Sequence, residues 1–145
     1  VVGLLVDGAG TLFIERASKR DAMRVVHQTA EALKAGDAVA VFPEGTTGPG
    51  PGLLPFHANL LQAAVSVEAP VLPVLLRWHE PGQRFSTAAA FVGDTTLAQS
   101  LWRVVTARGL GVVVSVLPSQ RSNGQERREL AQALETKLTD ALAAS

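Results

Sequence analysis

Two short blocks hold most of what this chain could use for chemistry. The first is Phe42-Pro43-Glu44-Gly45-Thr46-Thr47, which follows the apolar run at 37–42. In open α/β sheets, ligands gather at the carboxyl ends of strands. Successive backbone N–H groups around a glycine form an anion-binding nest, and threonine hydroxyls add donors. Glu44, Gly45, Thr46 and Thr47 are therefore candidate binding residues, against a plainer reading of the same stretch as a Gly/Pro-rich surface turn. It is not a Walker loop, because no Gly-Lys-Ser/Thr follows. The second block is Phe13-Ile14-Glu15-Arg16. An arginine at a strand end offers a planar fork of donors suited to a phosphate, and Glu15 is its obvious partner if the pair is merely solvated.

Other chemistries are poorly supplied. The chain has no cysteine, which removes disulfides, thiolate catalysis and cysteine zinc sites. Its three histidines, His27, His57 and His79, lack metal-ligand spacing, so no metal site is expected. With 13 basic and 13 acidic residues the formal charge is zero, unlike the basic surplus of a nucleic-acid binder. No Gly-x-Ser-x-Gly elbow is present, which weighs against an α/β hydrolase.

The elements that must position the two blocks follow from periodicity and punctuation. At 145 residues the chain is read as a single domain over 1–145, of a size that buries roughly 68–70% of its unfolded surface. It is 47% hydrophobic, yet the apolar runs are far shorter than the ~20 residues needed to cross a bilayer. The end of a helix running into a turn is read over 1–10 and a strand over 11–15. Ser18 is a good N-cap, Ala22, Val26, Thr29 and Leu33 share one helical face flanked by Met23, Val25 and Ala30, and Gly36 supplies the stop. A buried strand is predicted at 37–42, then a loop dense in Gly and Pro at 43–52. A helix over 56–68, a strand over 70–78, a turn at Glu80-Pro81-Gly82 and a strand near 88–92 follow. Thr95 or Thr96 caps a helix ended by Gly109, and 110–117 reads as a central strand covered on both faces. The last helix spans about 125–143, with Leu130, Leu134, Leu138 and Leu142 repeating every four residues. The pattern is α/β, a mostly parallel sheet of about five strands flanked by helices, with one hairpin at Pro81-Gly82.

Taken together, the order Phe-Ile-Glu-Arg, helix, strand, Phe-Pro-Glu-Gly-Thr, Leu53-Leu54-Pro55-Phe56, helix, Ala69-Pro70-Val71-Leu72-Pro73-Val74 resembles the glycerolipid acyltransferase family. The specific motifs run from Gly10 to about Trp78, and a weaker likeness of layout continues to the end. The resemblance implies a glycerolphosphate-acyltransferase-like fold and transfer of a fatty acyl group from acyl-CoA or acyl-carrier protein to a lysophospholipid hydroxyl, with no other cofactor. It implies that Arg16 binds the acceptor phosphate, that Glu44 and Gly45 belong to the same acceptor site, and that Pro73 is a strand-embedded proline of structural or acyl-site-shaping role.

Family members carry a His-x-x-x-x-Asp block upstream of these motifs, whose histidine is implied to be the general base and whose aspartate orients it. An alcohol is a poor nucleophile until a positioned base takes its proton, and imidazole suits that near neutrality. Here His27 is followed five residues on by Ala32, His57 by Gln62 and His79 by Arg84. No catalytic residue is therefore assigned in this chain. The dyad is expected upstream of Val1, the domain is expected to be incomplete at its N-terminus, and the fragment is expected to be inactive alone. Two departures from the family pattern matter. Glu15 stands where Asp is commoner. Thr47 stands where the family often has Arg, which opens acceptors other than a phosphate monoester, such as lyso-ornithine lipid.

The remaining residues have plainer readings. His57, where relatives often carry Lys, is read as a partly exposed capping residue, with a substrate-facing donor as the alternative. Trp78 and Trp102 are read as core residues, with interfacial anchoring as the alternative. His27 is read as structural and Arg127-Arg128 as a solvated helix turn. The resemblance implies a peripheral protein on the cytoplasmic face of a membrane. An exposed edge left by truncation invites self-association. A non-catalytic lipid- or phosphate-binding module that has lost the dyad is the competing reading of function.

Overall fold

The computed structural model describes residues 19–48 and 51–145. The helix end at 1–10 and the strand at 11–15, with Glu15 and Arg16, lie outside the described residues. Helix α1 spans Lys19–Lys34. Val25, Thr29 and Ala30 are buried on it, while Met23 is 75% exposed. Gly36, at φ +92°, ends it. The Gly36 N–H donates to the Leu33 carbonyl at 3.1 Å and the Asp37 N–H to that of Ala32 at 3.0 Å, the closure that a left-handed glycine permits.

The run at 37–42 makes no strand pairing among the described residues, and Phe42 is 74% exposed, so the buried strand read there is corrected. The helix read at 56–68 is two pieces, a 3₁₀ turn at Ala58–Leu61 and a short α2 at Gln62–Ser66. Strand β1 (Val74–His79) pairs antiparallel with β2 (Gly111–Val116), in a register running from Val74 opposite Val116 to His79 opposite Gly111. Pro73 is buried just before β1, where a missing N–H is tolerated, and its carbonyl accepts from Leu117 N–H at 3.0 Å. Glu80 and Gln83 close the turn around Pro81-Gly82 with Gly82 at φ +77°, but no strand forms at 88–92. Helix α3 (Leu97–Thr106) begins with a reciprocal cap: Gln99 N–H donates to the Thr96 hydroxyl, and Thr96 N–H to the Gln99 side chain. Helix α4 spans Arg127–Ala144.

The described part is thus mixed α/β with a two-stranded antiparallel sheet, and the mostly parallel sheet of about five strands is not what it contains. Periodicity identifies a β-prone run without naming its partner, and the long return through α3 brings β2 back antiparallel to β1.

The core lies where α4 crosses the 3₁₀ turn. Leu130, Ala131 and Leu134 pack with Leu61, and Phe56, Ala58, Val65 and Val71 close around them. Leu138 is also buried, so the four-residue leucine repeat faces the interior as expected. Ser122, fully buried, is within hydrogen-bonding distance of the Ala64 (3.1 Å) and Ala69 (2.7 Å) carbonyls, tying the approach to α4 onto the end of α2. The outer side is different. Val74, Leu76 and Trp78 of β1 and Val112, Val114 and Val116 of β2 are all exposed, and no residue of α3 is buried. Two expectations are corrected by this: β2 is not covered on both faces, and Trp78 (42% exposed) and Trp102 (71%) are not core residues.

Leu134→Ala removes the centre of the α4 seam. It is expected to cost about 2–5 kcal/mol, read as a lower urea midpoint with an unchanged denaturant slope.

Candidate functional site

The site is built around the turn that begins at Phe42. Gly45 N–H donates to the Phe42 carbonyl at 3.0 Å, closing Phe42-Pro43-Glu44-Gly45 as a tight turn. Proline suits its second position, and Gly45 at φ +66° takes a conformation that a side chain disfavours. Three hydrogen bonds then bind this turn and α4 to the segment 54–57. The Glu44 carboxylate accepts from Leu54 N–H at 2.7 Å. The His57 N–H donates to the Pro43 carbonyl at 2.8 Å. From the far end of the sequence, the Glu135 carboxylate of α4 accepts from Phe56 N–H at 2.9 Å. The Gly/Pro-rich loop therefore has a fixed mouth, and Glu44 fixes it with one of its own oxygens.

Beside that mouth runs an open groove of about 170 Å³, with Glu44, Thr47, Gly48 and Leu53 on the loop side and Arg77 and Ser86 among the residues facing them. Apolar residues including Leu75 and Phe85 complete its lining. Its lining combines apolar residues with a few polar ones, and its volume is below that of an ordinary small-molecule pocket. Arg77 reaches it from β1. Its Nη1 donates to the Arg84 carbonyl at 2.7 Å. The Arg84 guanidinium donates onward to the last-turn carbonyls of Leu142 (2.6 Å) and Ala143 (3.3 Å) of α4, lying 5.1 Å from the Phe85 ring centroid. Helix carbonyls at that end have no partner within the helix, so a cation there is well placed.

Glu44 and Thr47 are thus brought together in the groove, and Gly45 lies at the turn behind them. Thr46 is exposed and does not line the groove. His57 is exposed, occupies the N-cap position of the 3₁₀ turn, and makes no capping hydrogen bond with its side chain. Its ring instead rests on Gly45, where an added Cβ would meet Cδ2 at 2.9 Å. Pro73, just before β1, does not line the groove. His27 is exposed on α1, and Arg127 donates to the Gln62 side chain at 2.9 Å. Among the described residues no cluster of His, Cys, Asp and Glu could hold a metal ion. Arg77 was not singled out by its sequence context, a lone Arg in the apolar run Val74-Leu75-Leu76-Arg77-Trp78. The available signal was that charge itself, in a segment otherwise wholly apolar.

Comparison with known proteins places the chain. A model of the acyltransferase family matches residues 1–77, and those residues include both motif blocks. The chain belongs to the acyltransferase family. This acyltransferase chain is 37% identical over 140 residues to the 1-acyl-sn-glycerol-3-phosphate acyltransferase of Neisseria gonorrhoeae, covering 95% of the chain and 54% of that relative. It is 35% identical over 131 residues to the lyso-ornithine lipid O-acyltransferase of Pseudomonas aeruginosa, covering 90% of the chain and 50% of the relative. The human 1-acyl-sn-glycerol-3-phosphate acyltransferase alpha is 36% identical over 69 residues, 47% of the chain and 24% of the relative. The chain spans about half the length of the first two relatives. No solved structure matches it.

Glu44→Ala deletes the acceptor that holds Leu54. The expected loss is about 1.5–3 kcal/mol, the range for a hydrogen bond to a charged group, with faster exchange of the Leu54 amide. Glu44→Gln keeps an acceptor oxygen and should restore most of the protection. Unchanged Leu54 exchange in Glu44→Ala would show that the mouth of the loop is held by other contacts.

Proposed function

We propose that this acyltransferase chain is the acceptor-binding part of a glycerolipid O-acyltransferase of phospholipid biosynthesis. The whole protein transfers a fatty acyl group from acyl-CoA or acyl-carrier protein to the hydroxyl of a lysophospholipid such as lysophosphatidate. The observation that carries this reading is the 37% identity across 95% of the chain to a 1-acyl-sn-glycerol-3-phosphate acyltransferase, together with a groove beside the Phe-Pro-Glu-Gly-Thr turn that joins a carboxylate, a hydroxyl and a guanidinium. The catalytic histidine and aspartate belong, in this proposal, to a His-x-x-x-x-Asp block preceding Val1. The histidine takes the acceptor's hydroxyl proton as the oxygen attacks the thioester carbonyl. The C–S bond then breaks and the thiol leaves with that proton. This chain's residues hold the acceptor: Arg16 binds its phosphate, Glu44 and Gly45 shape the turn against which the head lies, and Thr47 supplies a hydroxyl.

A second acceptor is supported by a specific observation. Thr47 replaces the arginine that the family often carries, and the lyso-ornithine lipid O-acyltransferase matches 90% of the chain. Assaying thiol release from acyl-CoA with each acceptor separates the two. The N-terminally extended protein should release thiol, the 145-residue chain should not, and Arg16→Ala in the extended protein should lower turnover about 10- to 100-fold with lysophosphatidate, the range for a lost charged hydrogen bond. The chain has no cysteine to add background. Turnover by the short chain alone would overturn the assignment of the base.

Attachment is proposed to be peripheral, on the cytoplasmic face of a membrane. Among the described residues no helix is long and apolar enough to cross a membrane. The exposed valines of β1 and β2, with Leu101, Trp102 and Val105 of α3, offer the apolar surface that would rest on lipid. Without lipid the same surface would drive self-association. Vesicle co-sedimentation should retain the chain, and Trp102→Ser with Val105→Ser should release much of it. Light scattering without vesicles should show the wild type larger than a monomer. A wild-type chain that stays monomeric and free of vesicles would remove this part of the proposal.

A further inference from the structure

We infer that Asn123 is a site of spontaneous deamidation, and that its isoaspartate product loosens the seat of α4. The reacting groups are the Asn123 side-chain amide and the Gly124 backbone N–H, with water as the co-reactant.

The chain has two asparagines, Asn59 and Asn123, both exposed, and the structure treats them differently. Asn59 lies in the 3₁₀ turn, and the N–H that follows it, that of Leu60, donates to the His57 carbonyl at 3.0 Å. A nitrogen so engaged, on a residue with a branched side chain, is held away from the Asn59 side chain. At Asn123 neither restraint is present. Asn-Gly is a turn dipeptide, and among the described residues neither the Gly124 N–H nor the Asn123 side-chain amide makes a hydrogen bond. Gly124 is exposed, and a Cβ built on it would meet nothing within 4 Å, so a ring formed there has room. The turn is also loosely closed. The backbone bond across it, from Gln125 N–H to the Ser122 carbonyl, is 3.4 Å long, beyond the usual range for N–H···O. Gln125 adds no fastening through its buried Oε1, which has no partner.

The chemistry balances with water alone. The Gly124 nitrogen gives its proton to hydroxide and attacks Asn123 Cγ. The N–Cγ bond forms, the Cγ–Nδ2 bond breaks, and Nδ2 takes a proton from water and leaves as ammonia. Water then opens the cyclic imide at either carbonyl. Opening at Cγ gives aspartate, and opening at the former backbone carbonyl gives isoaspartate, whose main chain runs through Cβ and Cγ. The net change is amide plus water to carboxylate plus ammonium. Isoaspartate therefore inserts a carbon into the backbone between two fixed points. On one side, Ser122 is fully buried against the carbonyls of Ala64 (3.1 Å) and Ala69 (2.7 Å). On the other, Glu126 caps α4 in a reciprocal pair with Glu129, and Leu130 is fully buried one turn further on. The longer backbone must displace one of these seats, and α4 carries the Glu135 that holds Phe56. Plain aspartate keeps the backbone length, and a negative charge ahead of a helix N-terminus does not oppose the dipole.

The test incubates the 145-residue chain in mildly alkaline buffer, folded and in concentrated urea, and reads its tryptic peptides by mass spectrometry. Cleavage after Arg121 and Arg127 isolates the peptide 122–127. In the folded chain that peptide should gain the amide-to-acid mass shift at a rate close to that in urea, while Asn59 keeps its amide. Part of the product should accept a methyl group from an isoaspartyl carboxyl methyltransferase, the mark of the imide route. The isoaspartate form, separated chromatographically, should have a lower urea midpoint than Asn123→Asp and faster exchange of the Phe56 amide. Asn123→Asp itself should match the wild type in both. An Asn123 that converts in urea but stays intact in the folded chain overturns the site, and so does one that stays intact in both. Aspartate formed without isoaspartate overturns attack by the Gly124 nitrogen. An isoaspartate form as stable as Asn123→Asp overturns the coupling to α4.

Discussion

Glu44 and Glu135 hold the segment 54–57 from opposite ends of the sequence, and the groove depends on this double hold. A loop rich in glycine and proline has little local reason to keep one shape, because few of its backbone groups meet regular partners. Here the Glu44 carboxylate takes the Leu54 N–H ten residues on, and Glu135 takes the Phe56 N–H across 79 residues. The His57 N–H adds a third tie to the Pro43 carbonyl. Glu135 can do this because α4 is pinned by its own buried face, with Leu130, Ala131 and Leu134 against Leu61. Core packing on one side of α4 is thereby converted into loop geometry on the other. Loops positioned by a rigid scaffold are where binding residues are usually found.

The same helix steadies the other wall. Its terminal carbonyls receive Arg84, whose own carbonyl receives Arg77. Glu44 and Arg77 approach the groove from two different elements, yet both trace back to α4. This accounts for how the described residues, with so small a sheet, keep a defined recess. It also gives Glu44 a dual character: one oxygen is structural, and the carboxylate still lines the groove.

The sheet divides the molecule into unequal sides. Leu75 is buried toward α4, while Val74, Leu76 and Trp78 on the alternate positions are exposed beside the valines of β2. Strand alternation makes such a division automatic, since neighbours on a strand point to opposite faces. What is unusual is that the exposed set is wholly apolar, while Arg77 and His79 lie in the other set. Helix α3 repeats the theme, with a well-formed cap and an apolar stripe that no described element covers.

Much of this was legible in the residues themselves, wherever the interaction responsible is local. Gly36 marks the end of α1, Thr96 and Gln99 the start of α3, Pro81-Gly82 a turn, and the leucine repeat of α4 a buried seam, because each depends on neighbours within about four positions. The two motif blocks marked the family, and the Glu44 turn marked the candidate site, for the same reason. Strand pairing is a contact between distant segments, and an apolar β-prone run looks the same whether its partner is parallel, antiparallel or absent. That is why 37–42 and 88–92 read as strands, and why β1 and β2 were expected in a parallel sheet. Burial of Trp78, Trp102 and the valines likewise depends on what lies across from them. The place of Arg77 in the groove was decided only by the tertiary structure: sequence spacing carries no information on which carbonyl will hold its guanidinium.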